Sequence, residues 1–310
     1  MGGRVKWLAI LLILTATGSF AEAQIFPLYM PWNIKVDSSV RLEFLFGTQI
    51  LRDTDVRVPG SNTFIVPNAE GYDRFRIQYG PRVPLAEGFV ELSPPVGPLS
   101  IRLGGWASFL EPRIALDRTV GHVSPTPTSL SEASRNVKPD VWAWEAAGLY
   151  HVFEGLGHRF SFTAGFRREE WHYSGELSSD ASAVSSHSFS SYIPFIGLQS
   201  AMLFPWWRAR FEVLGSQIMV QQISHFLQDG NTFVDYRGKA TGTGMIQLSM
   251  EGTVNVSPAC WFGGFLRYSF QEMYGTATGR TSASTATGYS RNFYVGQSFA
   301  TVGLNATLLF

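Results

Sequence analysis

A single cysteine, Cys260, in a chain of 310 residues excludes an internal disulfide framework. It also leaves no cysteine behind the N-terminal segment to carry a lipid. Charge is sparse too. Charged residues are 15% of the chain, and 24 basic against 24 acidic residues leave no formal net charge. That balance argues against nucleic acid or an anionic surface as the main partner. Beyond the first residues, no apolar run approaches the roughly 20 that a spanning helix needs. Motifs of chemistry are missing as well. There is no Gly-x-Ser-x-Gly elbow and no His-Glu-x-x-His helix, and Arg237-Gly238-Lys239 lacks the upstream glycine of a phosphate loop. His122, His151, His158 and His172 are scattered without ligand spacing, so neither metal nor cofactor is expected. His187-Ser188 falls in a serine-rich tract that reads as a floppy loop, a poor place for a lipase-like dyad.

What is present begins with a leader. Arg4 and Lys6 precede an unbroken apolar run from Trp7 to Leu14, and Ala21-Glu22-Ala23 offers small residues where a signal peptidase reads. The expectation is a cleaved signal peptide over 1–23. Residues 24–36 are apolar but broken by Pro27 and Pro31, which makes a poor strand. They are expected to form a periplasmic lead-in or a small plug. Residues 37–310 then carry a rhythm of two. Val40, Leu42, Phe44 and Phe46 alternate with Arg41 and Glu43, and Ile246, Leu248 and Met250 alternate with Gln247, Ser249 and Glu251. At the end, Ala300, Val302, Leu304, Ala306, Leu308 and Phe310 alternate with Thr301, Gly303, Asn305 and Thr307. A period of two marks strands with one greasy and one wet face.

Alternation gives about ten strands, with Pro81 and Pro84 interrupting the second. That interruption reads as a bulge in one long strand, or as a division into two, which would move the count toward twelve. Connections near Pro94, Gly155, Pro205 and Pro258 are very short. The other five (52–70, 111–139, 174–188, 221–241 and 275–290) read as long polar loops. Aromatic residues gather at two heights. Phe160, Phe204, Trp206, Trp207, Trp261, Phe262 and Phe310 lie by the short turns, and Tyr72, Tyr79, Trp171, Tyr173, Tyr192 and Tyr274 by the long loops. Two belts at opposite ends are what a membrane imposes.

The closing strand, ending on an aromatic residue, resembles that of bacterial outer-membrane β-barrels, in which the C-terminal aromatic is an assembly signal. The resemblance implies an all-β fold, a transmembrane antiparallel up-and-down barrel with long outer loops and short periplasmic turns. It also implies the outer membrane of a Gram-negative bacterium. The partners it implies are outer-membrane lipid, lipopolysaccharide and the barrel-assembly machinery. Facing inward, the wet rows hold Arg41, Glu43, Arg76, Arg102, Glu145, Arg167, Glu169, Arg210, Glu212, Glu251 and Arg267. They are expected to pair and fill a narrow lumen, the alternative being a charged constriction or ligand site. Gln247 and Ser249 are expected to face a wet interior.

The expected role is non-enzymatic: a porin-like small-solute pore, or a barrel exposing an interaction surface. Strand count and length also resemble the omptin outer-membrane proteases, in which an acidic pair on one rim faces an Asp-x-His pair on the other. Here Asp53-Thr54-Asp55 has the acidic spacing but falls in the first outer connection, and His225, Asp229 and Asp235 form no Asp-x-His.

Overall fold

A computed structural model describes residues 35–57, 64–65, 72–94, 97–110, 114–123, 128–176, 183–229, 232–241, 244–281 and 284–309, all strand, turn or irregular and none helical. The expected signal peptide, the segment 24–34 and Phe310 lie outside the described residues.

Ten strands follow one another up and down. They are β1 (Lys35–Arg57), β2 (Tyr72–Tyr79 and Arg82–Ser93), β3 (Leu99–Ser108 and Ile114–Val123), β4 (Thr128–Gly155) and β5 (His158–Glu176). The rest are β6 (Ala183–Leu203), β7 (Trp207–Ser216 and Val220–Asp229), β8 (Thr232–Thr241 and Met245–Ser257), β9 (Cys260–Thr281) and β10 (Ser284–Leu309). Each pairs antiparallel with the one before it. β10 also pairs with β1, from Asp37↔Leu309 to Arg57↔Ser290, and this closes the barrel. Closure leaves no unpaired edge, the condition for crossing a lipid layer with strands.

The long connections differ from the expectation. Most of 111–139 is ladder, with Ile114 opposite Val137 and His122 opposite Thr128. The tract 174–188 continues β5 and β6 to Glu176↔Val184. The tract 221–241 pairs from Val220↔Thr241 to Asp229↔Thr232, and 275–290 is ladder as far as Thr281↔Ser284. β4 alone is 28 residues long, against the 9–11 or so that a tilted strand needs to cross a bilayer. The hairpins therefore carry the barrel well beyond a membrane. In tracts such as 174–188 and 275–290 serine, alanine, threonine and glycine fall on both faces, so the hydrophobic period disappears while backbone pairing goes on.

β2 is one strand, but not a bulged one. Gln49 faces Tyr79 and Phe46 faces Arg82, so β1 and β2 each spend two residues across the gap and the register does not slip. Pro81 has no N–H to give the ladder, which breaks the pairing without inserting a residue. β3, β7 and β8 are likewise in two pieces; in β7 and β8 the breaks adjoin, between Ser216↔Met245 and Val220↔Thr241. At the short-turn end β4 and β5 join through Leu156 and Gly157, with φ of 51° and 75°. Two left-handed residues match the twist of a two-residue hairpin.

Outward rows are apolar over the half nearer the short turns. Ile196 is 72% exposed, Val256 67%, and Leu42, Ile101, Phe162, Leu248, Leu266 and Leu304 are all exposed. An apolar surface that girdles the whole barrel is solvated by lipid and not by water. Three residues assigned to the aromatic belts belong inside instead: Trp171, Tyr173 and Trp261 are buried. Each has the strand parity of an inward arginine (Arg167 or Arg267), so height alone misassigned them.

The girdle makes a direct test. Leu248→Arg sets a charge against lipid and should cost about 2–4 kcal/mol near the midplane. Thr276→Arg, on an exposed residue of the β9–β10 hairpin beyond the girdle, should be nearly neutral. Urea unfolding of the refolded barrel in vesicles measures both, and equal losses would mean the girdle is misplaced.

Candidate functional site

Inside the girdle the lumen is crossed by two ion-pair clusters. In the first, Glu87 of β2 accepts from Arg41 of β1 at 2.7 Å and from Arg267 of β9 at 2.7 Å. Arg41 also donates to Glu251 of β8, which takes a further bond from Asn305 Nδ2 at 2.7 Å. The Arg41 guanidinium carbon lies 4.5 Å from the centre of the Phe89 ring and 4.7 Å from that of Phe265. Glu43 stands 3.8 Å from Arg267. In the second cluster, Arg102 of β3 bridges Glu145 at 3.1 Å and Glu212 of β7 at 2.9 Å. Arg167 of β5 reaches Glu145 at 2.7 Å, Glu169 at 3.4 Å and Gln247 Oε1 at 2.8 Å. Arg41–Glu251, Arg102–Glu212, Arg167–Gln247 and Arg267–Glu87 all join strands that are not neighbours, so the charges strap the walls together.

Above the charges, toward the hairpin end, the interior turns apolar. Trp171 stacks on Phe299 at 4.6 Å, and Tyr173 packs edge-on to Phe189 at 6.2 Å. Leu45, Leu51, Leu85, Ile193, Phe293 and Val295 fill the space around them. Tyr173 Oη donates to Gln49 Oε1 at 2.5 Å. This second layer was not expected. Its signal was the parity of Trp171 and Tyr173, two and four residues beyond Glu169.

Of the eleven residues singled out by sequence, nine meet in these clusters. Arg210 stands apart, nearer the short turns and 3.8 Å from Glu91. Arg76 faces Arg52 in the ladder, and its side chain lies outside the described residues. Gln247 is buried at 3% exposure instead of facing a wet interior, because Arg167 holds it. Three partners were missed. Glu87 and Glu91 sit in an inward row with Val83, Leu85 and Phe89, whose mixed polarity hides the face. Arg159, 3.7 Å from Glu91, lies beside a turn.

Histidines play other parts. His151 Nε2 lies 2.7 Å from Ser100 Oγ and its Nδ1 2.8 Å from Ser161 Oγ, with Ser93 bonded to Ser100 at 2.8 Å. Ser100 and Ser161 are buried and, among the described residues, the imidazole pairs with no carboxylate, so these bonds satisfy polar groups at the strand ends. His187 is a buried residue of β6, opposite Tyr173 and His225, and not part of a floppy loop. Asp53 and Asp55 lie on β1 at a bulge, facing Phe293 and Asn292 in the ladder, and not in a loop. Their side chains, and those of His225, Asp229 and Asp235, lie outside the described residues. Among the described residues no three His, Cys, Asp or Glu side chains are placed to hold a metal ion.

In shape the chain is similar to the outer-membrane protease OmpT from Escherichia coli, with a TM-score of 0.74 and 11% identity over 89% of this chain and 97% of that one. At that identity the likeness shows a shared fold, that of an outer-membrane β-barrel. The outer-membrane protein OprG from Pseudomonas aeruginosa gives 0.37 at 9% identity, over 88% and 95% of the two chains. The translocator domain of the autotransporter NalP from Neisseria meningitidis gives 0.33 at 10%, over 98% and 99%. These two are too distant in shape to bear on the site. No family model matches the chain, and no curated protein matches it in sequence.

Glu87, like Glu145, answers two arginines, so its loss should hurt more than that of a carboxylate meeting one. Glu87→Gln should destabilise the barrel by about 3–5 kcal/mol, the cost of stranding a buried charge. Glu169→Gln should cost less, since Glu169 meets Arg167 only at 3.4 Å. Arg267→Met placed on Glu87→Gln should recover part of the loss. Denaturant unfolding in detergent micelles gives the order, and a reversed order would remove Glu87 from the centre of the network.

Proposed function

We propose that this barrel resides in the outer membrane, is closed through its lumen, and works at its hairpin end as a surface for binding and not as a pore. One observation carries the reading: cross-lumen ion pairs and the aromatic layer above them occupy the interior in series. A barrel of ten strands is only slightly wider than one that side chains can fill, so two filled layers leave little room for a water column. The apolar girdle, the fold shared with an outer-membrane protein and the leader expected over 1–23 support the location. The short turns then face the periplasm and the hairpins the exterior. Lipopolysaccharide and outer-membrane lipid are the proposed partners of the outer wall. There Arg168 donates to Glu170 at 2.6 Å and lies over Trp142 and Tyr192 at 5.5 and 5.2 Å. The barrel-assembly machinery and the role of Phe310 as its signal belong to the same proposal.

A rim-site hydrolase is the second reading, favoured by the likeness in fold to a protein named as a protease. Its residues would be drawn from Asp53, Asp55, His225, Asp229 and Asp235.

In planar bilayers the refolded wild type should carry no steady current. Trp171→Ala with Phe299→Ala, which removes the stacked pair, should admit leak currents. A stable ohmic conductance from wild type would restore the pore. Incubation with basic peptides separates the hydrolase: cleavage by wild type that vanishes in Asp53→Ala/Asp55→Ala would replace the binding surface with a rim site.

A further inference from the structure

At the short-turn end the lumen widens into a vestibule whose wall includes Lys35, Asp37, Arg159, Arg208, Arg210 and Trp261. Four of these six are cations. Lys35 lies 3.9 Å from Asp37, and Arg159 is taken by Glu154 at 2.8 Å. Glu251, on the inner wall, is held by Arg41 and Asn305. Arg208 and Arg210 are different. Among the described residues Arg208 has no hydrogen bond and no carboxylate within ion-pair distance; its guanidinium carbon lies 4.0 Å from the centre of the Trp261 ring. Arg210 makes no hydrogen bond among the described residues and comes only within 3.8 Å of Glu91. Trp261 is 3% exposed, and among the described residues its indole N–H meets no acceptor; nor does the Nε–H of Arg159.

Donors therefore converge on this cavity in excess of its acceptors, of which Asp37 Oδ1 also lacks a donor among the described residues. Glu91 also lacks a donor at hydrogen-bond distance, but it lies between Arg159 and Arg210, at 3.7 and 3.8 Å, and does not reach Arg208. A buried N–H without an acceptor is costly, and a guanidinium offers a planar fork that matches paired oxygens. A tetrahedral oxyanion has enough oxygens to answer two forks and an indole N–H together, and each such bond is charge-assisted. A cation would have to come up against the guanidiniums of Arg208 and Arg210, and an apolar ligand would leave these donors unsatisfied.

We infer that the short-turn vestibule is a binding site for a small phosphate-type oxyanion, held by Arg208 and Arg210 with the indole N–H of Trp261. The site is independent of what the hairpin end does, since it is built wholly from the opposite mouth. In a closed barrel it is a dead-end pocket, so binding should be saturable.

Calorimetric titration of the refolded, full-length barrel with inorganic phosphate tests it. Wild type should bind saturably. Arg208→Gln should weaken binding about tenfold or more, the scale of losing a charge-assisted pair. Trp261→Phe keeps a ring under Arg208, removes the N–H together with part of the indole, and should weaken binding severalfold. Lys239→Gln, on an exposed residue of β8 far from the short turns, should change nothing. Heat-modifiable migration in SDS confirms that each variant is folded, and if Arg208→Gln fails to fold, Trp261→Phe decides. Repeating the titration in vesicles of phosphatidylcholine with and without phosphatidic acid identifies the source. Unchanged affinity assigns a soluble anion, and weaker affinity with phosphatidic acid assigns a lipid headgroup in competition. Absence of saturable binding by wild type, or undiminished binding by Arg208→Gln, would overturn the site.

Discussion

The structure depends on keeping arginines charged and paired in a space that water barely reaches. Arg41, Arg102, Arg167 and Arg267 are all turned inward at the level of the lipid girdle, where a lone guanidinium would be very costly. Each is answered by two carboxylates, at least one of them from another strand, and each such answer fixes one strand's height and rotation relative to another. A slip of one residue in any ladder would turn an arginine into lipid and a leucine into the lumen. The ion pairs are thus less a source of net stability than a lock on register.

The second layer follows from the first. Charges can fill the lumen only where each finds its partner, and among the described residues the partners run out above Arg167 and Glu169. Beyond them the interior is closed by rings and aliphatic side chains, with Trp171 on Phe299 and Tyr173 against Phe189. A small polar set, Tyr173 with Gln49, ties that layer to β1. In the closed barrel proposed above, encounters with other molecules fall to the two ends, which differ greatly. One end carries tall paired hairpins, and the other is a shallow basic mouth.

Much of this was readable in the residues, for identifiable reasons. Within the girdle one face meets lipid and the other meets charge, so Leu248 against Gln247, or Leu42 against Arg41, announces strand and facing together. Outside the girdle that contrast is gone. Serine and glycine on both faces made the hairpins around 174–188 and 275–290 look like loops, although pairing continues through them. Inward apolar residues misled in the other direction. Phe89, Trp171 and Trp261 are as greasy as any lipid-facing side chain, and only their parity with an inward charge reveals them. Glu87 was lost in such a mixed row, and with it the hub of one cluster. Which carboxylate meets which arginine across the barrel was not legible at all, since it depends on curvature and not on spacing.

The divided strands have a mechanical consequence. β2 and β3 are broken on one side of the barrel, and β7 and β8 are broken five strands away, diametrically opposite. The strands between them run on without interruption. Backbone pairing is cooperative, so a gap in the ladder uncouples the hinge of one opening unit from the next. Above each break pairing resumes, from Gln49↔Tyr79 to Arg52↔Arg76 and from Val220↔Thr241 to Asp229↔Thr232, so each break is a notch across two adjoining strands and not a seam along the wall. The uninterrupted strands on either side of each notch join the strapped body to the tall end.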